Sequence, residues 1–583
     1  MDKAGISQAL SEIAILLELK DENPFKIRAY ANAARSIEAW GGSLSDLQDE
    51  EALAKIPGIG KAIAAKIKEL ATAGSLKYLE DLRSEFPAAI LQLFSIPGLG
   101  AKKIKALHEQ LQVSSVADLL KACQSGRVAQ LPGFGETTQA KICRAIEEQS
   151  KHSGSFQFGQ IEPEAERLLT DLEAQPDVSR VELAGSYRRQ REVVRDLDFI
   201  VATKKPETIT NFLVSHPLVR SIIARGPTKT SVRLQSGIQC DLRVVSPGEY
   251  PFALNYFTGS KEHNIEMRNR ALKRGWTLNE YRLAPLPIEP GSTNKPLKIP
   301  TVKEEPDLYH ALDLDFIPPE LRENRGEFEA AENHSLPKLI ESKDLRGTFH
   351  CHTFASDGHN TLQEMAEAAR NLGLEYLGIA EHSRSSVQAH GVDEAKLHEQ
   401  MAEIRRLNKK FSGFRLLAGI ECDILRDGSL DFSDDILSQL DFAVASIHSV
   451  FNLSEADMTR RIIKAMENRF ITILGHPTGR LLLKREPYQI DIPAILDAAA
   501  ATGTWIELNA APKRLDLDWR WWPRAKEKGV KCVIDPDAHR AERLQDLRFG
   551  IGTARKGWLT KKDVMNCLAL GKIEVALKQK RER

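Results

Sequence analysis

The stretch Leu183–Asp198, L-A-G-S-Y-R-R-Q-R-E-V-V-R-D-L-D, gathers the groups that phosphate chemistry needs. An apolar lead-in (Val181, Leu183, Ala184) stops at Gly185 and Ser186, where backbone N–H groups and a hydroxyl can hold a phosphate. Arg188 and Arg189 add fixed positive charge. Asp196 and Asp198 alternate with Leu197 and run into Phe199, Ile200 and Val201, a strand pattern that puts both carboxylates on one face. Two carboxylates that close repel unless a hard divalent cation joins them, and beside phosphate oxygens that cation is Mg2+ or Mn2+. A third acid, Asp241, sits in a similar strand, Q-C-D-L-R-V-V. Together these residues make a two-metal phosphoryl-transfer site, one cation activating the attacking oxygen and the other steadying a leaving pyrophosphate.

A second polar set lies further along. His350 and His352 share a strand face in T-F-H-C-H-T-F-A-S-D-G, which also supplies Asp357. Short apolar strands then end, one after another, in His382, Glu421, His448, His476, Glu507 and the pair Asp537 and His539, each followed by a helical pattern. Polar groups at the C-terminal ends of alternating strands and helices are the grammar of a β/α barrel with its site at that rim. Six histidines so placed, joined by Asp357, Glu421 and Asp537, are hard to explain without metal, and mixed imidazole and carboxylate donors suit Zn2+ or Mn2+.

The elements that must position these groups differ along the chain. Residues 1–149 are helical in pattern, with apolar spacings such as Ile13, Leu16, Leu17 and Ile63, Ile67, Leu70. Within them a signature recurs three times: I-P-G-I-G-K with Gly58 and Gly60, I-P-G-L-G-A with Gly98 and Gly100, and L-P-G-F-G-E with Gly133 and Gly135. Proline ends one helix, the glycines permit a tight hairpin, and the next helix begins with N–H groups that can take a DNA phosphate without reading a base.

Composition sets the frame. At 583 residues, and about 150 per domain, roughly four units are expected. No apolar run has the length of a membrane span and no signal-peptide core follows Met1, so no membrane association is expected. Seven cysteines without a C-x-x-C point to reduced thiols and a cytoplasmic protein. Net charge is zero, but Arg180–Lys298 carries 20 Lys+Arg against 11 Asp+Glu, and Ile299–Leu345 carries 5 against 12. That arrangement reads as a polyanion-binding block followed by an acidic connector.

The Gly185 to Asp241 pattern resembles the palm of the family X DNA polymerases, the group of DNA polymerase beta, with G-S-x-R-R, D-x-D and a later single Asp. The resemblance continues through Tyr256, Phe257, Thr258, Gly259 and Ser260, then Asn264, Arg268 and Asn279-Glu280-Tyr281. It implies that Gly185, Ser186, Arg188, Arg189, Tyr256, Phe257, Gly259 and Asn264 bind the incoming nucleotide. Arg268 would bind DNA, and Tyr256-Phe257 would exclude a 2′-hydroxyl. It departs at Gln190 and Arg195, where the family has glycine, and at Gln239, often arginine. The glycine hairpins resemble helix-hairpin-helix motifs, and Lys66 lies where beta-type polymerases carry the lysine that forms a Schiff base with an abasic sugar. The C-terminal part resembles the polymerase-and-histidinol-phosphatase (PHP) family, a distorted seven-stranded barrel with three metal ions. Carried over by motif, the ligands are His350, His352, Asp357, His382, Glu421, His448, His476, Asp537 and His539; Thr348 and Glu381 stand where many relatives have aspartate.

The expected fold is multidomain α/β. An all-α region comprises a lyase-like domain (1–90) and a fingers-like domain (91–150). An α+β nucleotidyltransferase palm (151–245), a thumb (246–310) and an acidic linker (311–344) follow, and a (β/α)7 barrel (345–583) ends the chain. The expected function is gap-filling DNA repair synthesis on gapped or primer-template DNA with deoxynucleoside triphosphates, by a monomer, with a barrel that removes 3′-terminal nucleotides or cuts at abasic sites. Two alternatives remain: a small-molecule phosphoesterase fused to a weakened polymerase module, and a noncatalytic scaffold at DNA ends.

Overall fold

The structure is a computed structural model that describes residues 3–39, 53, 56, 58–87, 89–96, 99–151, 154–286 and 298–582. Gly98 lies outside the described residues. The chain divides into two compact units, Met1–Ser153 and Gly154–Arg583.

The first unit is helical. Lys3–Leu19 buries Ile6, Leu10, Ile13 and Leu17, the stripe that helical periodicity dictates, and Lys61–Ala73 buries Ile63, Ile67 and Leu70. One apolar core runs from Ile6 through Ile90 and Leu93 to Ile146, so the division expected at residue 90 falls inside a single core. Lys105 Nζ, 2.6 Å from Asp21 Oδ2, ties the two halves together.

In the second unit, β1 (Phe156–Gln157) pairs with β3 (Val193–Val194) beside a five-stranded palm sheet. That sheet contains β2 (Val178–Leu183), β4 (Asp196–Thr203), β5 (Val219–Arg225), β6 (Lys229–Leu234) and β7 (Gln239–Val245), in the order β2-β4-β7-β6-β5. Only the central pair, β4 and β7, is parallel. Strand alternation divides β4 cleanly: Phe199 and Val201 pack with helices Phe158–Glu173 and Pro206–Val214, while Ile200 and Ala202 pack with Tyr250–Thr258. Asp196 and Asp198 share the parity of Ile200 and therefore lie on the Tyr250–Thr258 side.

Helix Lys261–Lys273 and the hairpin β8 (Trp276–Leu278) with β9 (Leu283–Pro285) follow. The stretch expected as an acidic linker is folded onto them. Leu312, Leu314, Ile317, Leu321 and Phe328 are buried in one core with Met267, Leu278 and Leu283. Its acids answer the preceding basic block instead of repelling one another: Glu332 pairs with Arg270 and Asp313 with Arg274. A surplus of one sign followed by a surplus of the other is here two halves of one packed body.

Seven parallel strands complete the unit in sequence order: β10 (Gly347–Cys351), β11 (Tyr376–His382), β12 (Arg415–Asp423), β13 (Val444–Ser446), β14 (Ile473–Leu474), β15 (Trp505–Asn509) and β16 (Cys532–Asp535). The ring nearly closes. Cys351 bridges Ala538, and Asp535 Oδ1 accepts from Phe349 N at 2.8 Å and Thr348 Oγ1 at 3.0 Å. Phe349, Tyr376, Leu417, Phe442, Ile473, Trp505 and Val533 fill one apolar cluster of the barrel, which confines the polar groups to the opposite rim.

Candidate functional site

Register builds the palm site. Asp198 stands directly opposite Asp241 across β4 and β7, and Asp196 lies two residues back on the same face. Burial, then repulsion from Asp196 and Asp241, pushes the Asp198 carboxyl up to about 7, and Asp196 is raised by burial and by Asp241. Asp241 is also buried, but Lys229 Nζ at 2.6 Å and hydrogen bonds from Ser231 and Gln239 hold its carboxyl below the usual range. Crowded acids whose ionisation opposes one another fit a divalent cation, which would remove the repulsion. Gly185 is required here. Its φ is +60°, and a Cβ would lie 2.5 Å from Asp198 Oδ2, so only glycine lets the Gly185–Arg188 turn approach the carboxylate.

The paired arginines are engaged by distant acids. Arg188 bonds Glu182 at 2.8 Å, Thr258 Oγ1 at 2.8 Å, and both oxygens of Glu305 at 3.1 and 2.9 Å. Arg189 Nε lies 3.1 Å from Glu323 Oε1, and its Nη1 donates to the Thr258 carbonyl over Gly259. Tyr256 and Phe257 form a half-buried edge-on pair at the end of their helix, with the Arg243 guanidinium 3.9 Å from the Phe257 ring centroid. Asn264 donates to the Tyr256 carbonyl at 2.6 Å and so steadies that helix end. Arg268 is exposed, and Asn279 accepts from the backbone of Tyr281 and Arg282 to close the β8–β9 hairpin.

In the helical unit, Gly58 and Gly133 have φ of +87° and +84°, and Gly135 +65°. Gly60 and Gly100 are the N-caps of Lys61–Ala73 and Ala101–Leu111, with no capping side chain on either. The first N–H groups of both helices are thus open to an anion. Lys66 is half-buried, with its ammonium 5.1 Å from the Tyr78 ring centroid and 3.4 Å from the Ala62 carbonyl.

The barrel rim brings all nine motif residues into four overlapping clusters. These are His352, Asp357, His382 and His539; His350, His476 and Asp537; His350, His352 and Glu421; and His382, Glu421 and His448, each with donor atoms within 4.8 Å of one another. Glu421 is the hub. Its oxygens lie 3.0 Å from His476, 3.1 Å from His350, 3.2 Å from His448 and 2.8 Å from His382. Several of these atoms are buried without a hydrogen-bond partner, among them His350 Nε2, both ring nitrogens of His352, Asp357 Oδ1 and Glu421 Oε2. Orphaned donors and acceptors at this density are what bound cations would satisfy, so the residues fit metal. Neighbouring acids overcome burial to push His448 up to about 10 and His539 to about 9, whereas burial and crowding by other cationic groups push His352 down to about 3 and His476 to about 4. His350, His476 and Asp537 hold φ of +51°, +23° and +49°. Backbone strain of this kind, on the order of 1–3 kcal/mol per residue, persists where surrounding structure imposes it.

The supporting residues were less legible. Glu507 lies 2.5 Å from His350 Nδ1 and also accepts from His476 N, and Asp423 lies 2.5 Å from His448 Nδ1; each holds the ring nitrogen turned away from Glu421. Glu381 accepts from Thr353 N at 3.1 Å, Thr353 Oγ1 at 2.5 Å, Gln400 Nε2 at 2.6 Å and Ser356 Oγ, which locks the loop presenting Asp357. Arg514, 3.3 Å from Asp537 Oδ2, adds a cation inside the rim. An acid at a strand end was the available signal for Glu507, Asp423 and Glu381. Nothing local marks Arg514 or Lys229.

A palm with three converging acids joined to a histidine-lined barrel defines a nucleotidyltransferase-type fold fused to a metal-binding phosphoesterase-type barrel. The helix-hairpin-helix domain family matches residues 1–76, the SAM-like helix-hairpin-helix tandem 90–148, the DNA polymerase beta thumb 253–323 and the PHP domain 348–511. The chain is 39% identical over 581 residues to "DNA polymerase/3'-5' exonuclease PolX" of Bacillus subtilis (strain 168), covering 99% of this chain and 100% of that one. Over 246 residues, 40% of this chain, it is 30% identical to a "Probable phosphatase" of Thermoanaerobacter sp. (strain X514), of which 95% is covered. The chain belongs to the family X DNA polymerases with helix-hairpin-helix, thumb and PHP domains.

Proposed function

We propose that this chain is a DNA repair polymerase that adds deoxynucleotides to a 3′ end in short gaps, and that its barrel removes 3′-terminal nucleotides and cuts at abasic sites. The observation that carries this reading is the meeting of Asp196, Asp198 and Asp241 beside the Gly185-Ser186 turn. These three acids would hold two Mg2+ or Mn2+ ions, and the nine rim residues would hold three ions, Zn2+ or Mn2+. Bound at these places, the cations supply positive charge at the reacting phosphate oxygens and lower the pKa of bound water.

The chain's own groups do the remaining work. The Gly185–Arg188 turn and Arg189 receive the triphosphate. Tyr256 and Phe257 sit under the sugar, where their bulk disfavours a 2′-hydroxyl. Arg268 and the hairpin glycines Gly58, Gly60, Gly98, Gly100, Gly133 and Gly135 bind DNA backbone, with no base read. At the rim, Glu507 and Asp423 hold the tautomers of His350 and His448, and Arg514 stands ready for phosphate charge. A cytoplasmic monomer acting on gapped DNA completes the proposal.

Primer extension across a short gap by the full chain tests it: incorporation of deoxynucleotides over ribonucleotides is expected. DNA binding without incorporation would contradict it. The similarity of the barrel to bacterial phosphatases favours one competing reading, small-phosphoester hydrolysis. That reading predicts hydrolysis of small phosphomonoesters and no shortening of DNA.

A further inference from the structure

Helix Leu547–Lys556 belongs to the barrel by sequence, yet it packs against the palm turn that carries the paired arginines. A Cβ on Gly552 would lie 2.4 Å from Gln190 Oε1, so the helix packs directly on the side chain of the residue after Arg189, which would have to move to admit one. Gln190 itself is held at φ +53°. At the helix end, Lys556 is 1% exposed. Its ammonium donates to the Arg189 carbonyl at 3.0 Å, the Glu320 carbonyl at 3.4 Å and Glu323 Oε1 at 2.6 Å, which accounts for its three hydrogens. Trp519 covers the group, its ring centroid 4.7 Å from Nζ.

Glu323 Oε1 is the same oxygen that accepts from Arg189 Nε, and Glu323 Oε2 lies 3.5 Å from Arg191. A buried ammonium is a costly way to build an interface unless its charge is used. Here it shares the carboxylate that would otherwise belong to Arg189. We infer that Lys556 is a positioning residue for the palm: it fixes the Arg189 backbone and neutralises Glu323, so that the Arg189 guanidinium can exchange this carboxylate for the triphosphate of an incoming nucleotide. The inference rests on the nucleotidyltransferase reading of the palm. It makes the barrel part of the nucleotide site without any barrel ligand taking part.

The test uses the full chain, a primed template and one deoxynucleoside triphosphate. Lys556→Met leaves Glu323 to capture Arg189 alone, and the KM for the nucleotide should rise about tenfold, the worth of one strengthened charge-assisted hydrogen bond, with kcat changed far less. Adding Glu323→Gln to Lys556→Met removes the competing charge and should return KM to within about threefold of the unaltered chain. The 3′-degradation activity of the barrel reports that Lys556→Met is folded. Should that variant fail to fold, Glu323→Gln alone gives the answer, because it weakens the hold on Arg189 and should lower KM. An unchanged KM in folded Lys556→Met, no rescue by the second substitution, or a raised KM in Glu323→Gln overturns the inference. Failure of the underlying reading looks different: the unaltered chain would not extend the primer at all.

Discussion

Asp198 and Asp241 face one another in register across the only parallel strand pair of the palm sheet. That pairing fixes the backbone separation of two acids 43 residues apart in the chain and sets both on one face of the sheet. Removing one should leave cations under-held and the pyrophosphate charge uncompensated. Asp198→Ala is expected to lower nucleotide addition by at least about a thousandfold while DNA binding persists. Steady-state extension of a gapped template, with affinity measured in parallel, checks it; near-normal filling would exclude the palm assignment.

Glu305 sets a pH limit on the second unit. It is 5% exposed and lies 2.6 Å from Arg322 and 2.9 Å from Arg188. Burial alone would raise its carboxyl, but the two guanidinium groups hold it at about 2, below its ordinary 4.5. A lowered carboxylate stabilises the fold fully above about pH 4.5 and loses that contribution as pH falls toward 2, on the order of 3 kcal/mol in all. Urea midpoints should therefore drop between pH 5 and pH 3. Glu305→Gln should be less stable at pH 7, where it leaves two arginines uncompensated, and its midpoint should depend less on pH over that window. A parallel fall in both proteins would count against this linkage.

The helical unit should bind DNA by itself, since residues 1–153 have their own core. With helix starts at Gly60 and Gly100 that no side chain caps, and a third hairpin at Gly133 and Gly135, log affinity should fall against log salt with a slope of about −3 or steeper, and no base preference should emerge from a binding selection. A flat salt response would make the hairpins structural only.

Lys66 carries a narrower expectation. On the helix that follows the first hairpin, it sets its ammonium 5.1 Å from the Tyr78 ring centroid. If it attacks an abasic sugar, borohydride should trap the chain on an incised abasic substrate, and Lys66→Ala should abolish trapping while nucleotide addition continues. Trapping of the alanine variant would move the role to another lysine.

Eight of the nine rim residues were legible in the sequence because they lie at or just past the end of a short apolar strand, so strand pattern and site chemistry were read from the same few residues; Asp357 stands instead in the loop after the first of these strands. The palm acids stood out differently, as acids at the starts of apolar strands with alternating faces. Their controllers were not legible. Arg188 meets Glu305 across 117 residues and Arg189 meets Glu323 across 134, and no local pattern encodes such pairs. The acids around Glu305 and Glu323 read as a solvated connector because charge counts say nothing of partners, whereas Leu312, Leu314, Ile317 and Leu321 in the same stretch are core residues. The left-handed backbones of His350, His476 and Asp537 have no signal in residue type either, since packing imposes them. Nothing in residue type or spacing marks Lys556; its burial and its three acceptors do.

The central claim is that two separate centres, one in the palm and one at the barrel rim, act on the same DNA end. The direct measurement is degradation of single-stranded and gapped DNA from the 3′ end with Mn2+, comparing His350→Ala/His352→Ala with Asp198→Ala. Loss of two ligands from one strand should cost more than the tenfold to hundredfold or so typical of their supporting partners, so the barrel variant should lose degradation and part of its bound metal while still filling gaps. The palm variant should degrade DNA and add nothing. If the palm variant loses degradation and the barrel variant keeps it, shortening comes from reversal of polymerisation, and the barrel is not the nuclease.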